Sequence, residues 1–407
     1  MEHSAVERRI VKTISPVYGG YAFAREEGLG VVFVRWALPG ETVEVRIGQR
    51  KKGYAFAEAI NVLDPSPYRV APPCEVFGRC GGCQLQHASY SFQLEMKRWI
   101  LEEAFRRIAK RDVVPAVAPP GDPFDYRFRG QFKTDGDAVG FFAERSRRLV
   151  AVSRCPLMVA PINGALPGLC GLGAVTPGLS EIHLASDGER AVAWLPGARL
   201  GDEVVERLAG RLSGACFEDG TWGEERVTLS LEGLTYAVSP RSFFQANWRM
   251  NRTLVRRILD FFDETPHGRL LDLYAGAGNF ALPLASRFAE VVAVEGEPRA
   301  FSDLRSNIAR NRIGNIRAVR STVEAYRPQG RYDVLVVDPP RSGLSAKALS
   351  IARSLGARAI CYVSCNPSTL ARDVAAFSDR YDLRLLQMYD FFPNTHHVET
   401  LAVLLLR

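Results

Sequence analysis

The chain has 407 residues, 47% hydrophobic and 24% charged, with a formal net charge of +7, a balance that excludes extended disorder and suits several globular cores rather than one. No apolar run approaches a membrane span, and the polar start from Met1 to Lys12 lacks the continuous apolar stretch of a secretory signal. A cytoplasmic protein is therefore expected, its eight cysteines serving as reduced thiols, metal ligands or catalysts rather than disulfides, while the positive charge suits a polyanionic partner without requiring one.

Residues 6–62 read as short strands separated by turn signals such as Gly19-Gly20, Gly28 to Gly30, Pro39-Gly40 and Gly53, which predicts a small closed β-barrel with Arg50-Lys51-Lys52 at a hairpin tip. Asp64-Pro65-Ser66-Pro67 and Ala71-Pro72-Pro73 form a connector whose fixed backbone angles oppose any regular element. The first unit is accordingly 1–62, the second 63–240 and the third 241–407. Cys74, Cys80 and Cys83, with Gly81-Gly82 between the last two, supply three thiolates around a flexible backbone. A metal centre there needs a fourth ligand, and Cys155 lies in a turn-like segment suited to provide it. Iron–sulfur and zinc both accept four thiolates. Cys170 and Cys216 take structural readings.

Tyr90 to Lys110 carries apolar residues at helical spacing, and from Phe124 to about Tyr236 strand patterns return. In Phe124 to Lys133 apolar and mainly polar residues alternate, as in a strand whose polar face reads RNA or in an ordinary amphipathic strand. Arg145, Arg147 and Arg148 are candidate phosphate contacts. A helix near Ala246 to Phe262 leads into the third unit. There, strands at Leu270 to Tyr274, Val291 to Glu295, Ile316 to Arg320, Val334 to Asp338 and Ala359 to Ser364 alternate with helices, and two more follow near Leu383 to Tyr389 and Leu401 to Leu406. This alternation predicts an open parallel sheet covered by helices, with ligands at the carboxyl ends of its strands.

Those ends carry the chemistry. Tyr274-Ala275-Gly276-Ala277-Gly278-Asn279 is a strand running into a glycine turn, and Glu295 ends the next strand twenty-three residues after Asp272, where a carboxylate can accept ribose hydroxyls. The third glycine of a dinucleotide fingerprint is replaced by Ala281, which disfavours a nicotinamide enzyme. Asp338-Pro339-Pro340-Arg341 presents an acid on a stiffened turn. Cys365 precedes Pro367, a residue suited to a first helical position, so unpaired donors of a helix N-terminus are expected to stabilise its thiolate. Cys361 reads as a buried strand cysteine.

Asp-x-Tyr-x-Gly-x-Gly-x-Phe at 272–280, Asp-Pro-Pro-Arg at 338–341, Ser-Cys-Asn-Pro at 364–367 and Phe-Pro-x-Thr-x-His-Val-Glu at 392–399, in this order, resemble the RNA uracil-5-methyltransferases over nearly the whole chain. The resemblance implies a multidomain α+β protein: a TRAM-like, RNA-binding barrel, a β-rich central domain bearing a [4Fe-4S] cluster on Cys74, Cys80, Cys83 and Cys155, and a Rossmann-like class I methyltransferase domain. It implies S-adenosylmethionine as methyl donor, Cys365 as nucleophile and Glu399 as base. It also implies cofactor contacts at Gln245, Tyr274, Gly276, Gly278, Asn279, Glu295 and Asp338. Where the family places an adenine-contacting Asp or Asn, this chain has Thr322, and that contact stays unassigned. Barrel and cluster together favour ribosomal RNA as substrate over transfer RNA, with the protein expected to be a monomer free of membrane. A non-catalytic RNA-binding protein of the same fold would not need Cys365 and Glu399, and an amino-group methyltransferase would not need the cysteine.

Overall fold

The structure, a computed structural model, describes residues 7–262 and 268–407; the first six residues of the polar N-terminal stretch lie outside them. Five strands, β1 (Arg8–Val17), β2 (Tyr21–Glu26), β3 (Gly30–Arg35), β4 (Thr42–Lys51) and β5 (Tyr54–Asp64), close into a barrel in the order β1-β2-β3-β5-β4. Period-two alternation turns Val32, Val34, Val43, Val45, Ala55 and Ala57 inward, all of them buried. Arg50, Lys51 and Lys52 stand exposed at the β4–β5 tip, as expected. Glu41 ties the barrel to the proline-rich connector: its buried carboxylate accepts from the Leu38 and Ser66 backbones and from both forks of Arg69.

Helix α1 (Tyr90–Ala104) continues through a single wider turn at Phe105–Ala109 and stops at Lys110, whose φ of 54° is left-handed. The two-residue strand β6 (Ala116–Val117) follows. The strand predicted from Phe124 begins instead at Arg129, because Asp125 is left-handed (φ 49°) and the Tyr126 and Arg127 amides bond to Leu157 rather than to a ladder neighbour. The aromatic side chains of this stretch, Tyr126, Phe128 and Phe132, are nevertheless buried. Strands β7 (Arg129–Thr134), β8 (Val139–Phe142), β9 (Leu149–Ala151), β10 (Glu181–Ser186), β11 (Ala191–Trp194), β12 (Gly214–Cys216) and β13 (Thr221–Gly223) form one sheet in the order β13-β12-β11-β10-β7-β8-β9. Helices α2 (Ala160–Leu169) and α3 (Asp202–Leu208) pack together against it, and the hairpin β14 (Val227–Leu231) and β15 (Leu234–Val238) leads to α4 (Trp248–Phe261), capped by Asn247 accepting from the Met250 amide. One apolar cluster runs from this sheet through α4 into the C-terminal sheet.

That last sheet contains β16 (Arg269–Leu273), β17 (Glu290–Glu295), β18 (Ile316–Arg320), β19 (Val334–Val337), β20 (Ala359–Ser364), β21 (Tyr381–Tyr389) and β22 (Glu399–Leu406), in the order β18-β17-β16-β19-β20-β22-β21-β6. Helices α5 (Ala281–Leu284), α6 (Pro298–Arg310), α7 (Ala346–Leu355) and α8 (Pro367–Phe377) connect the strands. The first five strands are parallel, but β22 runs antiparallel between β20 and β21, so the sheet is mixed rather than wholly parallel. Strand order reverses between β16 and β19, which opens a crevice at their carboxyl ends. Because β22 is reversed, its first residue, Glu399, lies at that same rim.

Candidate active site

The glycine turn after β16 is dictated by space. A Cβ on Gly278, at φ 94°, would stand 2.0 Å from Leu282, and Gly276 and Tyr274 are also left-handed, at 55° and 65°. Glu295 accepts from the Gly276 amide at 2.8 Å and the Glu297 amide at 2.6 Å, so backbone donors fix its carboxylate and leave lone pairs for ribose hydroxyls. Asn279 exchanges reciprocal amide bonds with Asn251 of α4 at 2.7 and 3.0 Å, which ties the turn to that helix. Gln245 is buried beside Phe244, whereas Phe243 is 65% exposed with the Arg129 guanidinium 5.2 Å from its ring. Thr322 is exposed, and its hydroxyl caps its own turn by accepting from Ala325. Asp272 lies fully buried below the turn, its carboxyl pushed well up by burial and by Asp338 and Glu295. A bare backbone turn thus faces a carboxylate fixed by backbone donors, an arrangement open to a nucleoside.

At the other side of the crevice Ser364 pairs with Thr400 across β20 and β22, which places Cys365 opposite Glu399. Asp338 directly follows the adjacent β19. Glu399 is buried, and burial together with the Asp338 charge raises its carboxyl well above the usual range while Arg341 draws it back; loss of water pushes Asp338 up to about 7. Half-buried Cys365 precedes α8, whose cap Asn366 accepts from Ser368 and donates to the Arg341 carbonyl at 3.1 Å. Burial, Glu399 and Asp338 push the thiol up to about 12 against the opposing charge of Arg341, a direction opposite to the lowering expected from the helix end.

Several of the residues that hold this rim in place were not marked by the sequence. His397 contacts Arg341 at 3.2 Å, and Lys97 of α1, wholly buried, donates to Asp390 at 2.7 Å and to the Phe392 carbonyl at 3.0 Å. Asn394 bonds to Gln93 in both directions, and the Tyr126 hydroxyl donates to the Pro393 carbonyl. Gln84, beside Cys83, takes the His396 amide on its side-chain oxygen. Arg341, inside the Asp-Pro-Pro-Arg motif, and His397, inside the Phe-Pro-x-Thr-x-His-Val-Glu motif, carried a signal in the sequence; Lys97, Gln93 and Gln84 did not.

Cys74, Cys80, Cys83 and Cys155 all line a cavity of about 440 Å³ that reaches Arg341 and His397. Among the described residues no three Cys, His, Asp or Glu side chains converge closely enough for one metal ion. The thiols thus face a shared space without closing on a point. Four thiols lining one space are a donor set of the kind that an iron–sulfur cluster or zinc takes.

A mixed, Rossmann-like sheet with a glycine turn and an acidic strand end on one side of its crevice, and a cysteine beside a buried carboxyl on the other, is the framework of a nucleotide-cofactor enzyme. A family model described as tRNA (Uracil-5-)-methyltransferase matches residues 216–407. A 23S rRNA (uracil(1939)-C(5))-methyltransferase, RlmD, of Shewanella amazonensis is 36% identical, with 94% of this chain and 92% of that protein covered. An uncharacterized RNA methyltransferase of Aquifex aeolicus is 33% identical, covering 95% and 96%. Among solved structures, the Pyrococcus abyssi tRNA (uracil-54, C5)-methyltransferase in complex with S-adenosyl-L-homocysteine superposes with a TM-score of 0.78 at 25% identity, covering 97% and 99%. The chain belongs to the RNA uracil-5-methyltransferase family. It is an S-adenosylmethionine-dependent transferase that methylates carbon 5 of uridine in RNA. Among the described residues no helix is long and apolar enough to cross a membrane.

Proposed function

We propose that the substrate is a uridine of 23S ribosomal RNA, with Cys365 as nucleophile and Glu399 as the base that acts last. The observation that carries the roles is the β20–β22 register, which sets a thiol and a buried carboxyl face to face at the crevice rim. Uracil carbon 5 is too weak a nucleophile to take a methyl group unaided. Addition of the Cys365 thiolate at carbon 6 makes carbon 5 an enolate carbon; once methylated, it loses its proton to Glu399, and the cysteine is expelled. Arg341 acts on both groups by favouring their anionic forms. When bound, S-adenosylmethionine supplies the electrophilic methyl group; Gln245, Tyr274, Gly276, Gly278, Asn279, Glu295 and Asp338 would hold it.

Cys74, Cys80, Cys83 and Cys155 would hold a [4Fe-4S] cluster in the central unit, 63–240, between a TRAM-like barrel, 1–62, and the catalytic unit, 241–407, of a cytoplasmic monomer. Architecture does not separate ribosomal from transfer RNA, since the Pyrococcus tRNA enzyme spans nearly the whole chain. Sequence favours the ribosomal reading: 36% identity to the RlmD relative against 25% to that enzyme.

Glu399→Gln tests both parts. Addition and methylation survive it, while release slows by about a hundredfold to ten-thousandfold, the usual contribution of a positioned base. Denaturing gels with methyl-labelled cofactor are expected to show a labelled, retarded protein–RNA band with 23S rRNA and none with tRNA transcripts. A band formed only with tRNA would reassign the substrate, and turnover at the wild-type rate would remove Glu399 from the mechanism.

A further inference from the structure

The barrel reaches the reaction centre. Tyr18, in the turn between β1 and β2, directs its hydroxyl at the backbone carbonyl of Cys365, 3.5 Å away and 347 residues later in the chain. Its ring stands edge-on to His396, with centroids 5.3 Å apart and planes at 87°. The turn is pressed into place from a second side. Gly20, at φ +80°, leaves no room for a side chain, since a Cβ there would lie 2.5 Å from Cβ of Gln84 and 3.7 Å from His396. Gln84 in turn holds the His396 backbone at 3.3 Å. A hairpin that served only to bind RNA at a distance would not need to dock so closely against the loop leading to Glu399.

We infer that Tyr18 is a positioning residue for methyl transfer, holding the Cys365 turn in register with Glu399 through its hydroxyl; this rests on Cys365 being the nucleophile. The phenol is suited to donate. Burial raises it above its ordinary value, Arg341 opposes, and the charges of Cys365 and Glu399 add to the rise, so it keeps its proton across the working pH range. At 3.5 Å the contact is longer than the usual O–H···O bond, which keeps its expected contribution modest. A single neutral hydrogen bond of this kind is worth about a two- to tenfold change in rate.

Tyr18→Phe deletes the donor and keeps the ring against His396. With saturating RNA and cofactor, the single-turnover rate of methyl transfer, and the rate at which Cys365 forms an adduct with 5-fluorouridine RNA, should both fall about two- to tenfold. The dissociation constants for RNA and cofactor, and the melting temperature, should stay at wild-type values. Tyr18→Ala, which also loses the ring, should fall further in rate. Wild-type rates in Tyr18→Phe, or a defect that saturating RNA abolishes, would overturn the inference, the second by reducing Tyr18 to an RNA contact. Peptide mapping of the adduct separates this from the underlying assignment, because an adduct that persisted in Cys365→Ala would displace the nucleophile itself.

Discussion

At Cys365 two effects that act on a thiol oppose each other, and their magnitudes decide its resting state. The end of α8 offers partial positive charge; against the full charge of Arg341, burial and the carboxyls of Glu399 and Asp338 push the thiol up to about 12. A thiol raised this far is largely protonated near neutral pH in the free protein. Alkylation by iodoacetamide, followed residue by residue with mass spectrometry, is expected to be slower at Cys365 than at exposed Cys170 at pH 8. The Cys365 rate should climb about tenfold per pH unit through pH 10, because only the thiolate reacts and its fraction rises with pH until the pKa is reached. Fast modification of Cys365 at pH 7 would mean that the helix end outweighs burial.

The element on which the site depends is the loop between β21 and β22. Glu399 is marked in the sequence through its resemblance to the family motif, whereas the glycine turn and the acids Glu295 and Asp338 at strand ends mark the crevice because each is local and follows strand spacing. The partners that fix the loop leave no such trace. Lys97 reads as the polar face of an amphipathic helix, yet it is wholly buried against Asp390, 293 positions away, and Gln93 meets Asn394 across 301. Contacts over such separations are products of topology, and so are the reversal of β22 and its pairing beside Cys365. Regularly spaced turn signals between short strands made the barrel legible, but a two-residue strand such as β6 is too short to register. Lys97→Met should cost about 3–5 kcal/mol of stability, since it strands the Asp390 carboxylate without its partner in the interior. Denaturant titration of Lys97→Met, Asp390→Asn and the double variant is expected to show the double losing less than the sum of the singles. Strict additivity would mean that the pair is not coupled.

Across the whole molecule, the barrel, the cysteine segment and the catalytic loop meet at one junction. Gly81 donates to the Phe142 carbonyl of β8 and has no room for a Cβ there, Gln84 and Leu85 both donate to the Asn394 carbonyl, and Gly20 of the barrel abuts Gln84. A cluster on Cys74, Cys80, Cys83 and Cys155 would join segments far apart in the chain directly beneath this junction, and closing such long loops restricts the unfolded chain most. Protein prepared without oxygen is expected to contain iron and acid-labile sulfide, and Cys83→Ser to bring both to background; stoichiometric zinc without sulfide would exclude the cluster. The consequence for the rim is separately measurable. Because Gln84 follows Cys83 and holds His396, loss of the cluster should speed amide hydrogen exchange at Leu85 and His396, whose amides bond across the junction, while exchange in β17, buried in the sheet far from the cysteines, stays unchanged. If Cys83→Ser lost its iron and kept wild-type exchange at Leu85 and His396, the cluster would be no brace for the loop that delivers Glu399, and the hydrogen bonds of Gln93, Lys97 and Tyr126 would carry that task alone.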